Sequence, residues 1–152
     1  MNYSDIKIPF VDKEKIKRKR KADLFREKFW NDSVPVDIEK IIDLKLEIDI
    51  IPLPDLGDVF ISSDWKSIYV DRNKYLDGIQ NRLRFSLAHE IGHFILHKEI
   101  YNSFKITSLE KFYQFVIEIS GEQYGFLETQ ANIFANFLLV PRNRLALEKI
   151  KN

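Results

Sequence analysis

The chain has no cysteine and one methionine, and only three histidines in 152 residues. Without cysteine there can be no disulfide and no thiolate metal site, so any metal ligand must come from His, Asp or Glu. The absence also fits a reducing compartment. Neither sign of charge dominates: the formal net charge is +1, and bulk charge therefore implies no particular partner. No stretch approaches the run of about 18 apolar residues that a membrane span needs. The opening MNYSDIKIPF lacks a basic segment followed by an apolar one, so the expectation is a cytoplasmic protein with no membrane contact. Internal repeats, low-complexity tracts and linkers are missing too. We read residues 1–152 as a single domain, long enough for one core but not for two.

What is present concentrates in residues 82–97, RLRFSLAHEIGHFILH. His89, Glu90 and His93 form an HExxH element. Residues four apart lie one turn apart on the same helix face, so the two imidazoles can reach one metal ion. Glu90, rotated by about 100°, can touch a water activated there without ligating the metal. A surface helix could carry these side chains as ordinary polar groups. The flanks argue against that: Phe85, Leu87, Ala88, Ile91, Phe94, Ile95 and Leu96 make the helix apolar on most sides, and polar groups in a buried helix need partners or a metal. A zinc-dependent peptidase site follows.

Upstream, residues 1–12 read as an extended lead-in. A helix is predicted over 13–30, where KEKIKRKRKADLFREK (13–28) holds nine Lys or Arg against three acids. This basic segment could contact nucleic acid or an acidic protein. The rest of the chain balances it, however, and no base-reading motif accompanies it, so direct nucleic-acid binding is not expected. We read 1–34 as a basic helical extension packed on the domain. A second helix is expected around VPVDIEKIIDLKL, with Pro35 in its first turn, and alternation at Leu46, Ile48 and Ile50 predicts a strand ended by Pro52 and Pro54. Further strands are predicted over 58–62 and 66–71, the second alternating Ile68 and Val70 with Tyr69. Residues 98–107 read as irregular. A helix follows near 109–117, with Ser108 or Thr107 as its cap. Gly121 and Gly125 mark a turn, a strong helix runs from about Glu122 or Phe126 through Val140 and is stopped by Pro141, and a short charged helix over 142–149 closes the chain.

Two histidines do not complete a catalytic zinc site, which normally uses three protein ligands. His97 lies on the same helix about 6 Å beyond His93, and a continuous helix cannot easily aim three successive turns at one ion. It reads as a helix-end or core histidine. Glu128, in ETQANIFANFLLVP (128–141), is a better third ligand, although Glu99, Glu110, Glu118 and Glu122 also remain open on spacing. Asn132, one turn on, could hold a ligand imidazole through its other ring nitrogen. Ala131 and Ala135 would let the two helices approach.

RFSLAHEIGHFILH followed by ExxANxFAxxLLxP resembles the ImmA/IrrE family of metallopeptidases, most closely over residues 68–141. The resemblance implies a zincin-like α+β domain with N-terminal helices, a small three-stranded sheet and a two-helix metal-binding core. It implies that His89, His93 and Glu128 hold Zn²⁺ and that Glu90 is catalytic. Its further implication is a bacterial or mobile-element protein whose partner is a helix-turn-helix repressor, or a component of a toxin–antitoxin-like pair. Candidates for stabilising the oxyanion or contacting substrate are Tyr69, Tyr101, Tyr124 and Arg82, and the strand over 67–71 is a natural edge for an extended substrate. The other reading is a non-catalytic or weakly catalytic, zinc-stabilised interaction module that binds a repressor or toxin.

Overall fold

A computed structural model describes residues 3–9, 16, 21–31, 33–56, 59–76 and 81–140. The predicted closing helix over 142–149, most of the basic stretch 13–20, Gly57 and Pro141 lie outside those residues. The expected extended lead-in instead begins with a short 3-10 turn at Tyr3–Asp5, because Tyr3 turns inward and buries its ring edge-on against Phe115.

Helix α1 is Lys21–Phe29. Phe25 packs on Phe29 and Phe134 with ring centroids 4.8 and 5.9 Å apart. The buried Arg26 is held by Asp23 and by the Phe137 carbonyl, at 2.9 and 2.6 Å. Helix α2, Ile38–Lys40, starts one turn later than expected. Its cap is Asp37, whose carboxylate accepts from the Lys40 amide at 3.1 Å, so Pro35 precedes the helix instead of opening it. The helix continues as a π turn over Ile41–Lys45.

Strands β1 (Asp49–Leu53), β2 (Phe60–Ile61) and β3 (Ser67–Asp71) form one sheet in the order β1-β3-β2. β1 runs parallel to β3, and β2 antiparallel to it. Pro52 does not end β1 but sits within it opposite Val70, which is tolerated because β1 is an edge strand. β3 offers no edge, since it is the central strand with neighbours on both sides. Its alternation is as predicted, with Ile68 and Val70 fully buried and Tyr69 partly exposed.

Helices α3 (Arg72–Leu76), α4 (Asn81–Ser103), α5 (Leu109–Glu118) and α6 (Gly121–Leu139) complete the domain. α4 outruns its expected end at His97, so the stretch expected to be irregular shrinks to residues 104–107. The extra turns bury Tyr101 in an aromatic cluster with Trp65, Phe112 and Phe115. Ser108 caps α5 as predicted, accepting from the Lys111 amide at 3.1 Å. Gly125 marks no turn; it lies inside α6, which Ser120 caps.

Two apolar clusters result. One joins α1, α2, the sheet, α4 and α6 through Phe25, Ile41, Ile42, Ile68, Leu87, Ile91 and Phe134. The other lies beneath the N-terminal segment and α5, around Ile6, Ile8, Ile106, Phe115 and Leu127. α4 and α6 meet backbone to backbone at Gly92, where a Cβ would lie 3.0 Å from the Ala131 carbonyl oxygen and 3.1 Å from its Cα. Both are backbone atoms of a packed helix and cannot yield as a side chain would. Gly92→Ala should therefore destabilise the fold by about 1–3 kcal/mol through overpacking. Gly125→Ala, with nothing within 4 Å of the added carbon, should stabilise it by up to about 1 kcal/mol through helix propensity. Denaturant midpoints of the two variants would check both signs.

Candidate metal centre

The close approach at Gly92 and Ala131 decides what lies beside it. His89 and His93 project from α4 and Glu128 from α6, three residues before Ala131. Nε2 of His89 and Nε2 of His93 are 3.1 Å apart. The Glu128 carboxylate spans them, Oε1 lying 3.0 Å from His93 Nε2 and Oε2 3.1 Å from His89 Nε2. Asn132 stands where the sequence puts it, its Oδ1 2.7 Å from His89 Nδ1. His89 thus carries a proton on Nδ1 and turns its Nε2 toward Glu128.

This donor set fits a divalent metal. Two imidazole nitrogens and a carboxylate converge from two helices, and electron-rich atoms packed this closely repel unless a cation or proton lies among them. Tetrahedral zinc, with ligands at about 2.0–2.2 Å, separates neighbouring ligand atoms by about 3.3–3.6 Å. The spacings here are slightly tighter, so small side-chain shifts admit the ion. The electrostatics agree. Burial acts to raise the Glu128 carboxyl, but its hydrogen bonds to the two imidazoles hold it well below the usual carboxylate range. Burial acts to lower His89, yet Glu128 and Glu90 leave it above its ordinary value.

Glu90 is buried, and one donor atom from each of His89, Glu90 and His93 lies within 4.8 Å of the others. Its Oε2 accepts from the Ile61 amide of β2 at 3.1 Å. No sequence pattern marks that contact, because it pairs a side chain with a backbone group from a distant strand. Burial pushes the Glu90 carboxyl up, against the opposing pull of His93 and His89.

A cavity of about 460 Å³ opens over these residues. Val59, Phe60, Ile61 and Ser62 form one wall, and Trp65, Tyr101, Phe112, Tyr113 and Tyr124 form another. Tyr101 and Tyr124 are therefore brought to the site. Burial, then the charges of Glu90, Tyr124 and Glu128, push the Tyr101 phenol up. Tyr69 is not at the site, since its ring stacks on Phe60 at 5.1 Å within the sheet. Arg82 is exposed at the start of α4 and does not line the cavity. Glu99, Glu110 and Glu122 are exposed, and neither they nor Glu118 line it. His97 is a core histidine, as its spacing suggests: it is fully buried between His93 Nδ1 and Gln130 Oε1, each at 2.9 Å. Burial, and then His93, pushes it down to about 4. The roles of Trp65 and Gln130 went unread in the sequence, since a lone tryptophan or glutamine carries no motif.

Residues 66–150 match the family model described as the IrrE N-terminal-like domain, a peptidase family. The chain belongs to that family. Its α+β architecture is consistent with a zincin-like fold, and its His–Glu–x–x–His element assigns this family member as a zinc metallopeptidase. No curated protein matches the sequence. Among the described residues, no helix is long and apolar enough to cross a membrane.

Asn132→Ala would leave the His89 Nδ1–H without its acceptor. The variant should fold normally and bind zinc about 10- to 100-fold more weakly, measured by competition with a chromogenic chelator.

Proposed function

We propose that the protein is a zinc-dependent endopeptidase hydrolysing a peptide bond in a partner protein, and that this partner is a helix-turn-helix regulator. One observation carries the catalytic part: three potential ligand side chains, each with a donor atom within 3.1 Å of each of the others, stand beside a buried carboxylate tethered to a sheet edge. His89, His93 and Glu128 would hold the metal. Zinc there supplies Lewis acidity, lowering the pKa of a water and polarising the scissile carbonyl.

The remaining steps belong to side chains of this chain. Glu90 takes the proton from the attacking water and passes it to the leaving amine. The Ile61 amide fixes one of the Glu90 oxygens so that the other can work. Tyr101 or Tyr124 donates to the oxyanion, and the raised pKa of Tyr101 keeps its phenol a donor. An extended substrate would lie along β2, the sheet edge that borders the cavity, with its backbone pairing there. The regulator as substrate rests on the family resemblance. We also take residues 1–34 as a basic extension of the single domain; the packing of Phe25 and Arg26 on α6 supports this.

The second reading is an interaction module with little hydrolysis. It draws on the apolar side chains that α5 exposes: Tyr113, which lines the cavity, and Val116 and Ile117, the last 82% exposed. Glu90→Gln separates the two readings. The variant should retain its zinc and its binding to the regulator while cleaving it at least about 100-fold more slowly. Cleavage at the native rate by purified variant protein would remove the role given to Glu90, and no cleavage by either form would favour the interaction module.

A further inference from the structure

A chain of hydrogen bonds runs behind the metal centre, and its first link has only one possible direction. Gln130 Nε2 lies 3.0 Å from the Pro9 carbonyl, which can only accept. The Gln130 amide therefore turns its NH₂ to Pro9 and its oxygen to His97 Nε2, 2.9 Å away. That oxygen also only accepts, so the proton of His97 sits on Nε2. A neutral imidazole has one N–H, which leaves His97 Nδ1 bare. It accepts from His93 Nδ1 at 2.9 Å. His93 is thereby protonated on Nδ1, and its Nε2 faces His89 and Glu128.

Nothing in this chain can turn over easily. His93, His97 and Gln130 are all buried. Reversing one link would set two donors or two lone pairs against each other out of reach of water, which is costly. Both ring nitrogens of His97 are taken, so no carboxylate reaches it to support a charge there.

The anchor of the chain lies outside the family match, which begins at residue 66. The N-terminal segment is clamped along α6 at two points. Ile8 donates its amide to Gln123 Oε1, and seven residues on, two turns along the same face, Gln130 holds Pro9. Tyr3, Ile6 and Ile8 bury their side chains beside Phe115, Ile119 and Leu127.

We propose that the Pro9–Gln130–His97 chain fixes His93 in the tautomer that offers Nε2 to the metal, so that the N-terminal segment governs metal affinity. Gln130 and His97 are positioning residues. The tautomer stands on the hydrogen bonds alone; its consequence for affinity rests on the metal site proposed above.

Long-range proton–nitrogen correlation spectra of the full-length, metal-free protein with ¹⁵N-labelled histidine read the tautomers without any variant. Protonated Nδ1 on His93 with protonated Nε2 on His97 is expected, and the reverse on either ring overturns the proposal. Zinc titration against a chelator then tests the consequence. His97→Leu and Gln130→Leu should each weaken zinc binding about 10- to 100-fold. His97→Asn, whose Oδ1 can stand in for Nδ1, should restore the Nδ1–H tautomer of His93 and most of the affinity. Unchanged zinc affinity in folded His97→Leu would overturn the link. A native protein with the expected tautomers but no affinity for zinc would sink the peptidase reading, while the spectra would still uphold the fixed tautomer.

Discussion

The domain depends on two helices touching without side chains between them. At Gly92 and Ala131, α4 and α6 approach until a single methyl group would meet backbone. A glycine inside a helix costs about 0.5–1 kcal/mol relative to alanine, and here that cost is offset by what the contact brings together. His89 and His93 flank Gly92 in sequence, and Glu128, Gln130 and Asn132 flank Ala131. The contacts of Glu128, Gln130 and Asn132 with the histidines of α4 therefore lie within about one turn of one backbone contact. A wider crossing would leave Glu128 short of the imidazoles and Gln130 short of His97.

The same proximity explains how so apolar a helix carries so many polar groups. α4 is buried on several sides, and unpaired polar atoms there would cost roughly 1–3 kcal/mol each. The structure leaves none of its histidines unpaired. His89 meets Asn132 and Glu128, His93 meets Glu128 and His97, and His97 meets Gln130. Glu90 reaches the sheet through Ile61. Apart from the His93–His97 contact within α4, each partner comes from another element, so the polar contacts fix the relative placement of α4, α6, β2 and the N-terminal segment as firmly as the apolar clusters do. Specificity of fold and readiness of the site are here one arrangement.

How much of this was legible follows from the range of each interaction. Local patterns read well: the HExxH spacing, the alternation in β3, the Ser108 cap, and the pairing of Glu128 with Asn132 one turn apart. Features set by distant partners did not. Pro52 suggests a strand end until β1 is known to lie at the edge of the sheet. The turns after His97 read as irregular because the aromatic cluster that holds Tyr101 in helix is assembled from four separate segments. β3 looked like a free edge because strand order in a sheet is not written in any one strand. The partners of His97 and Glu90 are a glutamine and a backbone amide, which no residue pattern distinguishes from hundreds of inert ones.

The shape of the cavity constrains recognition on the proposed reading. β2 is two residues long, and one of its two amides, that of Ile61, is engaged by Glu90. Few backbone hydrogen bonds remain for an incoming strand, and each contributes only about 0.5–1.5 kcal/mol net. Edge pairing can set the direction and depth of a substrate but cannot hold it. Most of the affinity must then come from burying apolar side chains against Trp65, Phe112, Tyr113 and Tyr124, where aromatic walls offer far more contact area than the strand does. A partner presenting bulky apolar residues beside the scissile bond satisfies that requirement; a uniformly polar segment does not. In a folded regulator such residues are buried in the core, so the protein would act on a partner that opens locally before it binds.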